Sequence, residues 1–238
     1  MATPARHKAF VAALQEIADP ADVGEVSRFF RVDPHAPSSD NRFLGVRMGE
    51  VFPVAKRFAA DMPLAGIERL LDEPHYEVRM GAVSIMDFQA RAKRSSGEQR
   101  KALFDLYIRR HDRINNWDLV DRAAPYVVGG YLADKPRTVL DRLARSANPW
   151  ERRTAIVSTY YFIRAGDLDD TFRIAELLVR DDHELVQTAV GSWIREAGKR
   201  DQPRLVRFLE KHARAMPRKM LRYAAEKLPP ALRAKFVG

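Results

Sequence analysis

A weak internal repeat is the feature that most constrains how this chain can fold. Two leucines, an acidic residue with an apolar neighbour and an Ala-Val pair recur after 107 residues. The first copy reads Leu70-Leu71, Glu77-Val78 and Ala82-Val83, and the second reads Leu177-Leu178, Glu184-Leu185 and Ala189-Val190. Fainter copies at offsets of 73 and 41 residues align Ala155-Ile156 and Ala123 with the same Ala-Val pair. The repeating unit is therefore roughly 34 to 41 residues long, within the range of helical repeats.

The spacing of apolar residues is typical of amphipathic helices along nearly the whole chain, and Ala, Leu, Arg and Glu are abundant. Strand-like runs of alternating β-branched residues are missing from the sequence. Proline and glycine interrupt the pattern at intervals that leave helices of about 10 to 17 residues. Because one antiparallel helix pair fits each repeat, the sequence predicts an all-α, HEAT-like repeat α-solenoid in which residues 1–238 form a single domain.

Stacked second helices would line a concave wall of such a solenoid. In the register of the repeat, Asp121, Arg153 and Gln187 all occupy the position of Met80. A polar residue at one repeat position in three copies indicates a functional surface, although every solenoid also exposes polar side chains on this face. Trp117 stands one helical turn before Asp121 and favours the functional interpretation. A structural tryptophan buried between helices is the alternative.

The charge of the chain predicts a polyanionic partner. Its 238 residues include 41 Lys and Arg against 32 Asp and Glu, which gives a formal charge of +9. The surplus lies in the segment Arg195–Gly238, here called the C-terminal arm, with thirteen basic and four acidic residues. Nucleic acid is the expected partner and DNA-binding is expected on a concave basic face, although charge alone also permits an anionic membrane.

Several classes of protein are excluded by what the sequence lacks. Cysteine is absent, which excludes disulfides, thiolate catalysis and cysteine-based zinc sites. The six histidines lack ligand spacing and there is no phosphate-binding glycine-rich loop, so neither a metal nor a cofactor is expected. The sequence contains neither an apolar membrane-spanning stretch nor the apolar core of a secretory signal, so we expect a cytoplasmic protein. The Pro- and Ser-rich residues 31–42 predict a loop.

Five segments together resemble the bacterial DNA alkylation repair family, HEAT-like-repeat DNA glycosylases that release alkylated purines. The segments are Gly45-Val46-Arg47, Glu77-Val78-Arg79, Asn116-Trp117-Asp118-Leu119-Val120-Asp121, Arg153-Thr154-Ala155-Ile156 and Gly191 through Glu196. The resemblance is spread over about residues 10 to 230. It implies that Trp117 is the lesion-contacting tryptophan, Asp121 the catalytic aspartate and Arg153 an arginine of the same cleft.

The chain departs from the family pattern at one cleft position. Members usually have a second tryptophan directly after the glycine of a Gly-Trp-x-Leu-Arg-Glu motif, whereas this chain has Ser192 there and Trp193 one residue later. One residue turns a helix by about 100°, so Trp193 cannot replace that tryptophan without local rewinding. We favour a site with one aromatic wall and a serine, with Trp193 in the core. The alternative is a π-bulge that turns Trp193 into the position of the second cleft tryptophan.

The resemblance implies a base-excision repair enzyme that hydrolyses the N-glycosidic bond of N3- or N7-alkylated purines in duplex DNA, as a monomer in the bacterial cytoplasm or nucleoid. Asp121 would stabilise the oxocarbenium ion and orient water, Trp117 would contact the lesion, and Arg153 would hold a phosphate. Further cleft candidates are Gln187, Ser192 and Trp193. Candidates for DNA-backbone contact are Arg195, Lys199, Arg218, Lys219 and Arg222. The alternatives are a non-catalytic binder of bent or branched DNA and a protein-protein scaffold.

Three neighbouring features receive structural interpretations. Asn116 is a candidate N-cap for the helix that carries Trp117. Asp118 favours the start of that helix through the helix dipole and is not expected to be catalytic. The aromatic cluster Tyr160, Tyr161 and Phe162 is expected to lie in the core.

Overall fold

Residues 5–29 and 41–238 are described by the structure, a computed structural model. The predicted loop at 31–42 lies outside the described residues, except for Asn41 and Arg42. Every regular element in the two described ranges is helical, apart from an isolated bridge between Arg42 and His75. The predicted all-α, α-solenoid-like fold class is thereby confirmed. None of the helices within these ranges is long and apolar enough to cross a membrane.

The chain divides into two compact units, Met1–Val127 and Val128–Gly238. The helices of the first unit are α1 Arg6–Gln15, α2 Val23–Phe29, α3 Met48–Ala59, α4 Leu64–Asp72, α5 Tyr76–Arg91, α6 Gly97–Arg109 and α7 Trp117–Ala123. Short 3₁₀ turns lie at Pro20–Asp22 and His111–Arg113. A π-helix follows α7 at Ala124–Gly129, and the division between the units falls within it.

The second unit begins with the end of the π-helix and continues with a 3₁₀ turn at Tyr131–Asp134 and then α-helices. These are α8 Thr138–Ala144, α9 Pro149–Ser158, α10 Tyr160–Ala165, α11 Asp169–Leu177, α12 Glu184–Gly198, α13 Gln202–His212, α14 Arg218–Ala225 and α15 Pro230–Val237. Several helices are shorter than the predicted range, since α7 and α8 have seven residues each. Packing within the fold can stabilise helices that are too short to persist alone.

The starts of the helices follow the predicted repeat register. Helices α5, α7 and α9 begin at Tyr76, Trp117 and Pro149, three positions that the repeat aligns. Helix α12 begins one residue later in the register, at Glu184. Proline suits the first turn of a helix because its missing N–H would have had no helical partner there. The assignment to HEAT-type repeats stays a prediction.

Helix α5 is the core of the first unit. It packs against α3, α4 and α7, and nearly all of its side chains are buried. Its one glycine allows a close approach, because a Cβ atom at Gly81 would stand 2.2 Å from Cζ of Phe10. The amide of Gln89 donates to the carbonyls of Ala59 at 2.9 Å and Met62 at 2.8 Å, which fixes the end of α3 on α5.

Helix α12 has the corresponding place in the second unit, where it packs against α9, α13 and α14. A Cβ atom at Gly191 would lie 2.5 Å from the carbonyl oxygen of Met220 and 2.6 Å from Cβ of Tyr223. Helices α12 and α14 are therefore in backbone contact at this point, and only glycine fits there without a shift.

The variant Gly191→Ala is expected to lower the free energy of unfolding by about 1 to 3 kcal/mol, the usual cost of overpacking. The matched control is Gly49→Ala in α3, where a Cβ atom would meet nothing within 4 Å. Alanine at Gly49 is expected to raise stability by about 0.5 kcal/mol, because it reduces the entropy of the unfolded chain. Urea titrations of both variants measure the difference, and equal stabilities would contradict the close packing.

Candidate functional site

Helix α7 carries two of the predicted site residues on one side. Its start is fixed by Asn116, whose side-chain oxygen accepts a hydrogen bond of 2.8 Å from the backbone N–H of Trp117. The predicted N-cap is thereby confirmed. Leu119 and Val120 are buried, whereas Trp117 and Asp121 are partly exposed. The helix therefore presents an indole and a carboxylate one turn apart at the surface of the first unit.

The α-helical hydrogen bonding changes to a π-helix directly after α7 because of Pro125. Proline has no N–H to donate to the carbonyl of Asp121, four residues earlier, and its ring crowds that carbonyl. A π-helical turn at Ala124–Gly129 accommodates the defect. Asp121 thus lies where the helix widens, a type of irregularity that is frequent at functional sites. The local sequence signal for this irregularity is Pro125, four residues after Asp121.

A buried pair lies behind α7. The hydroxyl of Tyr76 donates a hydrogen bond to Oδ1 of Asp118, and the ring of Tyr76 stacks on Phe43 with centroids 5.4 Å apart. Asp118 is 8% exposed. Burial raises the pKa of Asp118 to about 6, the hydrogen bond from Tyr76 opposes the rise, and the charge of Asp121 adds to it. The helix-dipole interpretation of Asp118 missed this tertiary partner.

Arg122 fastens α7 to the core of the first unit. Its Nη1 lies 2.9 Å from the carboxylate of Asp87, and its Nε donates to Oγ of Ser84 at 3.0 Å. The guanidinium also stands 5.1 Å from the ring centre of Phe52 and 4.8 Å from that of Phe88. Burial raises the pKa of Asp87, while the charges of Arg122 and Arg91 lower it. The residue after the candidate catalytic carboxylate is therefore a structural anchor.

Arg153 and Gln187 lie in the second unit, and both bind backbone carbonyls. Arg153 is 5% exposed, and its Nη1 donates to the carbonyl of Leu185 in α12. Gln187 is partly exposed and donates from Nε2 to the carbonyl of Asp181 at 3.0 Å. A phosphate contact by Arg153 stays a prediction, and in the structure this arginine is buried and bonded to α12.

The predictions for Trp193 are corrected, whereas the place of Ser192 in the cleft stays a prediction. Helix α12 is α-helical from Glu184 to Gly198, so the alternative of a π-bulge at Trp193 is wrong. Trp193 is partly exposed rather than in the core, and its ring centre lies 5.0 Å from that of Tyr160. Ser192 is also partly exposed, at a different angle on the helix. In the aromatic cluster that was expected in the core, Phe162 is buried but Tyr160 and Tyr161 are partly exposed.

Much of the charge of the C-terminal arm is paired with carboxylates. Seven of its thirteen basic residues lie within 4.0 Å of an acidic group: Arg195, Lys199, Arg204, Lys211, Lys219, Lys227 and Lys235. Three of the five predicted DNA-backbone residues, Arg195, Lys199 and Lys219, belong to this set. Within the described chain no ion pair involves the remaining six, Arg200, Arg207, Arg214, Arg218, Arg222 and Arg233. The arm therefore presents arginines rather than lysines as its unpaired cations.

The geometry of the described residues offers no obvious metal centre, because no three His, Asp or Glu side chains there are grouped as ligands. The chemistry available at α7 is that of an aromatic face and a carboxylate. An aromatic ring attracts a cation, and a fixed carboxylate stabilises positive charge as it develops.

Comparison with known proteins identifies the family. The family model described as DNA alkylation repair enzyme matches residues 10–228. A similar solved structure is titled a predicted DNA alkylation repair enzyme from Enterococcus faecalis, with a TM-score of 0.69 and 16% identity over 90% of this chain and 97% of that one. At this identity the structural likeness supports the fold alone. A search of curated proteins finds no match. Since the family model spans nearly the whole sequence, the chain belongs to the DNA alkylation repair enzyme family.

Proposed function

We propose that the protein is a DNA glycosylase that hydrolyses the N-glycosidic bond of N3- and N7-alkylated purines in duplex DNA. The observation that carries the proposal is the pairing on α7, where the indole of Trp117 and the carboxylate of Asp121 lie one turn apart, both partly exposed. Membership of a DNA alkylation repair enzyme family supplies the substrate context. The protein would act on bacterial nucleoid DNA as a monomer in base-excision repair.

The chemistry of alkylated purines suits this pair of side chains. An N3- or N7-alkylated purine already carries positive charge, so the base leaves without protonation by a general acid. As the bond to the sugar breaks, the sugar becomes an oxocarbenium ion. The carboxylate of Asp121 stabilises this cation and orients the water that attacks the anomeric carbon.

Trp117 binds the lesion nucleotide through its ring face. A cation over an indole is stabilised by about 0.5 to 2 kcal/mol, depending on how far water is excluded. Asn116 caps the first turn of α7, which fixes the backbone that carries the indole. The ring therefore selects for a cationic base over a neutral one.

Basic residues of the C-terminal arm supply affinity for the DNA backbone independently of sequence. Arg218 and Arg222 stand four residues apart in α14, both exposed, and are the best placed of the predicted backbone contacts. Lys199 and Lys219 contribute if their exposed ion pairs exchange for phosphate, which costs little because exposed pairs are weak. Arg195, whose side chain is 18% exposed, contributes if its pairs with Glu196 and Glu226 exchange. Further contacts with the DNA duplex are proposed for four residues of the second unit: Arg153, Gln187, Ser192 and Trp193.

The test is release of 7-methylguanine and 3-methyladenine from alkylated duplex DNA by the native chain and by Trp117→Ala. The alanine variant is expected to release base about tenfold more slowly, because it loses the ring face. The matched control, Trp117→Phe, keeps an aromatic face and should stay within about threefold of the native rate. A native chain that releases no base yet binds duplex DNA with a steep salt dependence would replace the proposal with a non-catalytic DNA binder.

A further inference from the structure

The first turns of α5 and α7 are joined by a buried pair that the proposed mechanism does not use. Tyr76 is the first residue of α5 and is fully buried, and its hydroxyl donates to the carboxylate of Asp118 in the first turn of α7. Asp118 directly follows Trp117 and precedes Asp121 by three residues. Residues three apart on a helix are neighbours on its surface, so Asp118 adjoins Asp121, and it shares the first turn of α7 with Trp117.

The negative charge of Asp118 is only partly stabilised by its surroundings, because burial outweighs the hydrogen bonds from Tyr76 and from the backbone N–H groups of Asp118 and Leu119. Its Oδ1 accepts the hydrogen bond from Tyr76, while its Oδ2 is buried and has no hydrogen-bond partner in the described chain. An ionised carboxyl in this position is poorly solvated, which disfavours the charged form. An asparagine would offer Tyr76 the same acceptor without that charge. Perturbed ionisable groups of this kind cluster at functional sites.

The charged groups around Asp118 do not neutralise it by direct pairing. From α5, Tyr76 donates the hydrogen bond, and the buried guanidinium of Arg79 stands 5.6 Å from the tyrosine ring and binds Asn41. Burial lowers the pKa of Arg79 to about 10 and the charge of Arg113 contributes to the shift, whereas the charges of Asp118 and Glu77 oppose it. Glu77 is engaged by the backbone N–H groups of Leu44, Gly45 and Val46. On α7 itself, Asp121 adds a like charge.

We propose that Asp118 is a positioning residue of the α7 site, which anchors the turn that carries Trp117 through Tyr76 and adds a second negative charge behind Asp121. This inference rests on the proposed glycosylase function. Asp118 does not touch the substrate. Its charge lowers the energy of the cationic transition state through space and through the low-dielectric interior of the first unit.

The inference gives activity and stability opposite dependences on pH. Since the pKa of Asp118 is about 6, the carboxyl gains its charge as the pH rises through that value, and base release should accelerate. The folded pKa lies above the ordinary aspartate pKa of 3.8, so this group contributes stability below about pH 4 that is lost as the pH rises through about 6. If Asp118 had only a structural role, its ionisation would lower stability without accelerating base release.

The experiment measures single-turnover release of 7-methylguanine from about pH 5 to about pH 7.5, with uncatalysed release subtracted, for native protein, Asp118→Asn and Tyr76→Phe. Native release should fall about tenfold below pH 6, as expected from the loss of one nearby charge. Asp118→Asn should remain at the low rate throughout. Tyr76→Phe should shift the fall to higher pH, because the hydrogen bond from Tyr76 lowers the pKa of Asp118. The exposed control Asp112→Asn should follow the native profile.

Thermal unfolding of the same proteins gives a readout without substrate. The native midpoint should decline between about pH 4 and about pH 6 more steeply than that of Asp118→Asn. A native pH profile of release in Asp118→Asn would overturn the inference and leave the glycosylase intact. Absence of base release by the native protein would overturn the proposed function, and with it the role of Asp118. Identical pH dependence of the two midpoints would also overturn the inference.

Discussion

Replacing Asp121 with asparagine is expected to slow single-turnover release of alkylated bases by about a hundred- to a thousandfold, the usual loss when one electrostatic stabiliser of a transition state is removed. Asparagine has nearly the same shape and can still orient a water molecule, so the loss reports the charge. Asp121 is partly exposed, and the substitution buries no new polar group. The dissociation constant for alkylated duplex DNA should stay within about threefold of the native value, since the ground state lacks the oxocarbenium charge.

The control for Asp121→Asn is Asp105→Asn in α6, which removes an exposed carboxylate paired with Lys101 at 2.6 Å. That variant should release bases at the native rate, because screened surface charges contribute little. A native rate in Asp121→Asn would mean that another group stabilises the cation, and the mechanism at α7 would be wrong.

Replacing Arg122 with methionine is expected to lower the free energy of unfolding by about 3 kcal/mol, because it leaves the carboxylate of Asp87 buried without its closest cation. The side chain of Asp87 is 1% exposed and lies 2.9 Å from Arg122. Arg91 remains 3.4 Å from Asp87, which keeps the loss at the lower end of the range for broken buried pairs. Methionine preserves much of the packing between Phe52 and Phe88, so the effect is chiefly electrostatic.

Urea denaturation measures this loss of stability. The double variant Arg122→Met, Asp87→Asn is measured for comparison. The double variant should recover part of the stability, because removing both charges is less costly than removing one. The surface control Arg109→Met breaks a pair with Glu68, whose side chain is 35% exposed, and should change stability by less than about 1 kcal/mol. Equal effects of Arg109→Met and Arg122→Met would contradict the anchoring of α7 by Arg122.

Local signals in the sequence were sufficient for the fold class and for the start of the candidate site. Proline, glycine and capping residues act within one or two turns, so their positions fix where helices begin. Asn116 caps α7, and Pro149 opens α9 in the predicted register. The apolar periodicity likewise predicted an all-α chain, because amphipathic helices need no distant partner to be recognised.

Contacts between distant residues were not predicted, because nothing local marks them. Tyr76 and Asp118 are 42 residues apart in sequence. The repeat aligns Tyr76 with Trp117, but it does not predict a hydrogen bond between Tyr76 and Asp118. The burial of Arg153 was not predicted either, because an arginine at a repeat position shared with other polar residues is expected to be exposed.

Three ion pairs of the C-terminal arm share one separation in sequence. Arg204, Lys211 and Lys219 each pair with an acidic residue 35 positions earlier, namely Asp169, Glu176 and Glu184. This constant separation is close to the repeat length, as expected if equivalent positions of successive repeats lie side by side. The net charge of the arm therefore overstates how many of its basic residues are unpaired.

The most direct test of a glycosylase at α7 is the fate of one 7-methylguanine in a defined duplex after saturating binding by the native protein. We predict free 7-methylguanine and an equal amount of abasic DNA, with neither product from Asp121→Asn above the uncatalysed level on the same time scale. Intact 7-methylguanine in duplex that is fully bound by native protein would contradict the account.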